Sequence, residues 1–239
     1  MHAAEKKGRR NPGIKCSCMF AFFLLMLQGH SYAQQQDFRG LAGFSVEKKI
    51  SRSFSASIYT QVLFNQNMAE LRSAFADFGI DYKLTKNISF GLDYRYGKYR
   101  NLQNFYDTRQ MILGDIVLSK GYKGFYAALR ARFQNQYYPD FFSENYKTNK
   151  AYNRDRLQVR YKINYYWSPF VSAEIFYPLN NPDRKFVDQV QTSLGTYYSF
   201  NDYLRAEIYY SVSHSINQSV SHLNSQTNYT FNMVWYYRF

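Results

Sequence analysis

Two histidines and a run of serines are the side chains of this sequence with types and spacing closest to a catalytic set. His214 and His222 lie among Ser211, Ser213, Ser215, Ser219 and Ser221. A serine hydroxyl becomes a nucleophile when an imidazole accepts its proton, and a carboxylate often orients that imidazole. A Ser–His or Asp–His pair here would suit a lipase, an acyltransferase or a protease. Such sets are defined by geometry rather than spacing, and a polar loop in water is the simpler reading of the same residues. Two histidines with no acidic ligand cluster beside them do not make a metal site. Nothing in the sequence calls for a cofactor. Cys16 and Cys18 both precede a short apolar run. Removal of that region as a leader would leave no thiol for a disulfide, a metal or a nucleophile.

The second chemistry is electrostatic. Asp77, Asp93, Arg95, Arg109, Asp115, Arg130, Arg132, Arg160, Lys162, Glu174, Arg205, Glu207 and Arg238, with Glu47 and Asp81, recur at alternate positions opposite apolar side chains. Successive strand side chains point to opposite faces, so these charges share one face of a series of strands. They could cross-link neighbouring strands, or they could line an aqueous pore with a basic track that favours anions.

The elements that would position them are two-faced strands. In 125–136, Phe125, Ala127, Leu129, Ala131 and Phe133 alternate with Tyr126, Ala128, Arg130, Arg132, Gln134 and Gln136. Similar alternation runs through 54–64, 88–99, 157–167, 204–212 and 229–239, and less cleanly through 38–50, 71–84, 106–118, 170–177 and 187–200. Clean runs reach the roughly 9–11 residues that a tilted strand needs to cross a bilayer. Short connections at 51–53, 85–87, 120–123, 168–169 and 201–202 alternate with longer ones near 65–70, 100–105, 137–153, 178–186 and 214–227. That asymmetry is expected of an outer-membrane barrel, with short turns in the periplasm and long loops outside. Eleven segments are legible, whereas single-chain bacterial barrels normally have an even number, so the expectation is an all-β, transmembrane antiparallel β-barrel of about 10–12 strands. A barrel this small is close to the size that side chains can fill, which favours cross-linking over an open pore.

Composition agrees with a membrane barrel. Aromatic residues make up 20%, with 25 Tyr and 21 Phe, and Tyr and Trp sit well at membrane–water boundaries. Formal net charge is +13. A basic, aromatic-rich chain could bind nucleic acid. Here basic and aromatic residues mostly occupy opposite strand faces, whereas a single-strand binder needs them on one surface. Lys6, Lys7, Arg9, Arg10 and Lys15, then the apolar Met19–Leu27, then Ser31-Tyr32-Ala33 read as a signal peptide cleaved between Ala33 and Gln34. The expected organisation is therefore residues 1–33 as signal peptide and 34–239 as barrel. The basic residues Lys147, Lys150, Arg154 and Arg156, in or beside the longest connection, could meet lipopolysaccharide phosphates, although a solvated charge run is the default.

The end of the chain alternates Tyr229, Phe231, Met233, Trp235, Tyr237 and Phe239 with more polar residues. An aromatic terminal strand closing on Trp235, Tyr237 and Phe239 resembles the assembly signal of bacterial outer-membrane barrels. Asp37–Ile50 (DFRGLAGFSVEKKI) and Val171–Pro182 (VSAEIFYPLNNP), together with the periodic strands, resemble the outer-membrane proteins grouped as domain-of-unknown-function family 2490. The resemblance runs through residues 34–239 and implies an outer-membrane barrel with no assigned activity or catalytic residues. The expected setting is the bacterial outer membrane. The expected partners are its lipid and lipopolysaccharide, with periplasmic chaperones and the barrel-assembly machinery during biogenesis. A structural or narrow-channel barrel is the leading expectation. A lipid-modifying or proteolytic enzyme at the rim, and a soluble secreted β-sandwich that binds sugars, are the alternatives.

Overall fold

The computed structural model describes residues 36–101, 103–137, 150–180, 187–216 and 226–239. The leader, its Ala33–Gln34 cleavage site, Lys147, Ser219, Ser221 and His222 lie outside those residues. Eleven strands follow one another: β1 (Gln36–Lys49), β2 (Phe54–Asn65), β3 (Glu70–Lys83), β4 (Ile88–Arg100), β5 (Tyr106–Tyr122), β6 (Phe125–Tyr137), β7 (Lys150–Tyr161), β8 (Trp167–Pro178), β9 (Gln189–Ser199), β10 (Leu204–Ser215) and β11 (Gln226–Arg238). Each pairs with its sequence neighbours, and β1 pairs with β11 to close the ring. Closure rules out a two-sheet sandwich.

All eleven segments are strands, and the odd number has a geometric consequence. Ten seams are antiparallel; the β1–β11 seam is parallel, in register from Gln36 opposite Thr227 to Glu47 opposite Arg238. The expected antiparallel barrel is present, with that seam its one parallel pairing. An odd number of alternating strands brings the first and last to closure pointing the same way. The last turn of that seam is tied by Phe239 N–H donating to the Glu47 carbonyl (3.0 Å) and Lys49 N–H donating to the Phe239 carbonyl (3.1 Å). The start of β1 consequently lies at the same end of the barrel as the long connections.

One strand assignment from the sequence is corrected. The 157–167 segment lies earlier, as Lys150–Tyr161, and the turn that follows occupies 162–166 rather than 168–169. Four short turns use one device. Ser51, Thr85, Asn164 and Asn201 each place a side-chain oxygen where it accepts backbone N–H groups two and three residues on. These are ST- and Asx-turns, in which a short polar side chain replaces a backbone acceptor. The fifth short turn is a two-residue hairpin with positive φ at Lys123 (45°) and Gly124 (86°). Positive φ at both positions suits the twist of the flanking strands and favours glycine.

The alternation sorts side chains to two environments. Outside, Phe44, Leu92, Leu129, Val171 and Leu194 are about half exposed and form part of an apolar belt. Aromatic pairs ring its short-turn end: Phe54–Tyr82, Phe125–Tyr161, Trp167–Tyr198 and Phe200–Trp235. Inside, Asp77, Glu174, Glu207 and Asn232 are buried. This inversion, apolar outward and polar inward, is the reverse of a water-soluble domain.

Candidate functional site

The interior is not uniformly polar. Phe75, Met111, Leu113, Phe170 and Val234 are buried inside the ring, Leu113 completely. Their parity places them with the charges rather than with the belt. Between these apolar contacts run two cavities. The central one, about 480 Å³, is lined by residues that include Tyr59, Asp77, Arg95, Arg130, Arg156, Glu174 and Glu207. The second, about 310 Å³, lies nearer the short turns and includes Glu47, Arg160, Lys162, Asp202, Arg205 and Arg238 in its lining. Ser45 and Tyr236 line both.

Ion pairs brace the central chamber. Arg95 grips Asp77 through two bonds of 2.7 Å, joining β4 to β3. Arg132 grips Asp115 through two bonds of 2.6 Å, joining β6 to β5, and reaches Asp93 at 3.7 Å. The two-bond pairs fix orientation as well as attraction, because the planar guanidinium matches the carboxylate. One Glu174 oxygen accepts from both Arg130 (2.8 Å) and Arg154 (3.1 Å), tying β8 to β6 and β7. Arg154 also donates to Gln134 (3.3 Å) and lies over the Phe176 ring. Arg109 stacks over Tyr99.

A ladder of arginine and tyrosine marks the boundary between the chambers. Arg160 lies over Tyr126 at 4.9 Å and Tyr197 at 5.4 Å. Arg205 lies over Tyr197 at 4.8 Å and Tyr236 at 5.1 Å. The Tyr236 hydroxyl donates to Glu207 at 2.6 Å. A guanidinium over an aromatic face is attracted by the ring quadrupole, more so when desolvated. The ladder runs from Tyr126 on β6 to Tyr236 on β11, with Tyr197 lining the central cavity, Arg160 and Arg205 the second, and Tyr236 both. In the second chamber Arg238 donates to Glu47 at 3.0 Å across the parallel seam. Lys162 belongs to the 162–166 turn, not to a strand, and lines that chamber.

The structure brings most of the charged candidates into these two chambers. Arg154 and Arg156, expected in or beside the longest connection, lie instead on β7 and face the lumen. Extending the parity of Gln158 and Arg160 backward along β7 would have found both. Alternation puts Tyr59, Tyr209 and Tyr236 on the inward face, but tyrosine is expected first at the membrane boundary, and their contacts inside, with those of Tyr197, come from the structure. Ser211 and Ser213 face inward, where Ser211 accepts from Asn232 at 3.1 Å. His214 has the outward parity of Tyr210 and Val212, and its Nδ1 lies 3.1 Å from Thr227 Oγ1. Those serines and this histidine are therefore on opposite faces of β10. Among the described residues no three His, Cys, Asp or Glu side chains converge as a metal site. Trp235, Tyr237 and Phe239 lie outward at the short-turn end, with Trp235 stacked on Phe200 and Tyr237 beside Phe239.

No curated protein sequence matches the chain at a significant level. Among solved structures, the NanC porin in its rhombohedral crystal form is similar in fold, at 14% identity, over 81% of this chain and 95% of that one, with a TM-score of 0.48. A family model described as "Protein of unknown function (DUF2490)" matches residues 39–224, most of the barrel, and the chain belongs to that family.

Proposed function

We propose that the chain is a bacterial outer-membrane β-barrel that forms a narrow, internally braced passage for small polar solutes. The observation that carries this reading is the pair of polar chambers in series inside a closed ring with an apolar exterior. The outward belt and its aromatic ring support burial in lipid, since barrels keep polar residues inside and girdle themselves with aromatics. The terminal Trp235, Tyr237 and Phe239 would serve recognition by the assembly machinery, and long-loop cations such as Lys150 would face lipopolysaccharide.

Planar-bilayer recording tests the passage. The folded protein should give small, discrete conductance steps, and Tyr197→Ala should enlarge them by removing the ring between Arg160 and Arg205. Folded protein that stays electrically silent in both forms would defeat the reading. It would leave the purely structural barrel, which the pairs joining β3 to β4, β5 to β6 and β8 to β6 and β7 favour.

A further inference from the structure

The seam between β6 and β7 carries an arrangement that bracing does not explain. Arg130 stands directly opposite Arg156, and Arg132 directly opposite Arg154. Like charges directly opposite each other on a sheet destabilise it. All four side chains share the inward face, so a two-by-two block of guanidiniums projects into the lumen. Its carboxylates do not match it one for one. Arg132 has Asp115, with Asp93 farther off, whereas Arg130 and Arg154 share a single oxygen of Glu174. Arg156 stands opposite Glu174 across the β7–β8 seam. Even so it makes no hydrogen bond or ion pair among the described residues, because Glu174 is turned to Arg130 and Arg154, and it lines the central cavity. The buried Nε of Arg130 also lacks a hydrogen-bond acceptor. Burying guanidinium donors without acceptors is unfavourable, and setting them in like-charge pairs adds to the cost.

We propose that the Arg130–Arg156 edge of the central chamber is a binding site for a small oxyanion, a carboxylate or phosphate group. Arg156 is its principal guanidinium, with the Arg130 guanidinium beside it in the cavity wall. The planar fork of arginine binds both oxyanions through paired hydrogen bonds. Glu174 occupies one flank of the site and holds Arg130 and Arg154 in place, and it limits the bound charge by repulsion. Gln191, opposite Glu174 on β9, supplies a neutral amide to the same wall. The cavity of about 480 Å³ admits an anion with a body on the scale of a single sugar ring. This inference rests on the proposed passage only in requiring the chamber to be reachable from solvent.

The test is equilibrium binding to the folded full-length barrel in neutral detergent, in a zwitterionic buffer free of competing oxyanions. Inorganic phosphate and D-glucuronate serve as probes and glucose as the uncharged control. The expected result is saturable binding of at least one anion near one per barrel, none of glucose, and at least tenfold weaker binding in Arg156→Gln. Arg238→Gln, in the other chamber, should bind as wild type. Phosphate alone or glucuronate alone binding would identify which oxyanion the site serves. A second readout separates a binding residue from a brace. In the anion-free buffer Arg156→Gln should unfold at the same or a higher temperature than wild type, because it removes a like charge opposite Arg130 that no hydrogen bond or ion pair holds. The bound anion should raise the unfolding temperature of wild type and not of Arg156→Gln. Absence of saturable binding to wild type, undiminished binding in Arg156→Gln, or destabilisation of Arg156→Gln without anion would each overturn the site. A barrel that binds but does not conduct would leave the site standing and remove the passage.

Discussion

Glu174 is one carboxylate serving two guanidiniums, and its loss has a larger effect than its own interactions suggest. Truncating one partner of a buried ion pair leaves the other charge uncompensated, which typically costs about 3–5 kcal/mol. Glu174→Gln is therefore expected to lower the temperature at which the folded, fast-migrating form is lost in detergent electrophoresis. Unchanged thermal stability would mean that Arg130 and Arg154 are already satisfied elsewhere. Tyr236 gives a milder case. Tyr236→Phe keeps the ring beneath Arg205 but removes the donor to Glu207. It should cost about 1–3 kcal/mol in a urea titration, the range for a buried group left without its hydrogen bond. A stability equal to that of wild type would show that Glu207 has another donor. The charges themselves were legible in the sequence, because alternation separates them from the belt. Their partners were not, since the pairs from β4 to β6 and from β6 to β8 skip a strand and depend on how the wall curves.

Strand pairing explains two glycines that propensity alone would not place inside a sheet. A Cβ on Gly97 would sit 2.5 Å from the Phe75 Cβ and 2.8 Å from the Ala74 carbonyl; one on Gly195 would sit 2.2 Å from the Tyr209 Cβ. Both leave room for a bulky inward neighbour on the adjacent strand, a close approach that only glycine permits. Gly195→Ala should push Tyr209 out of its contact with Phe170 and destabilise the barrel by about 1–3 kcal/mol, the usual cost of overpacking. Chemical unfolding in detergent measures it, and a value within error of wild type would show that β9 and β10 can separate freely. Element boundaries from the sequence stand within a few residues for ten strands. The exception is β7, whose first half reads Lys-Ala-Tyr-Asn-Arg-Asp-Arg and carries no apolar face of its own. Asp155 and Asn153 occupy its outward positions and bond to each other at 2.8 Å. Polar residues on both faces concealed the strand until its pairing with β6 and β8 defined it.

The whole molecule turns on its closure. Even-stranded barrels close antiparallel, and an eleven-strand ring cannot. The register predicts that Ala42→Cys with Met233→Cys, opposite each other in the parallel seam, will form a disulfide under membrane-permeant oxidant. The oxidised product should migrate faster than the reduced chain after boiling. Failure to cross-link, with Ala42→Cys instead pairing to a partner consistent with antiparallel closure, would contradict the ring. Orientation is separately testable. An epitope inserted in the 138–149 connection should be labelled on intact cells and one in the 84–87 turn only after permeabilisation. The reverse pattern would place the short turns outside.

Taken residue by residue, the sequence determined the two-faced strands, their approximate bounds, the short-turn and long-loop alternation and the aromatic terminal strand. These follow from the two-residue period of a strand and from local turn chemistry, both properties of neighbours along the chain. The parallel seam, the pairing of each arginine, the stacked Arg–Tyr ladder and the division of the lumen into two chambers were decided by the tertiary structure. Each joins residues brought together by register and curvature. Period alone names the face on which a side chain lies but not what meets it across the lumen.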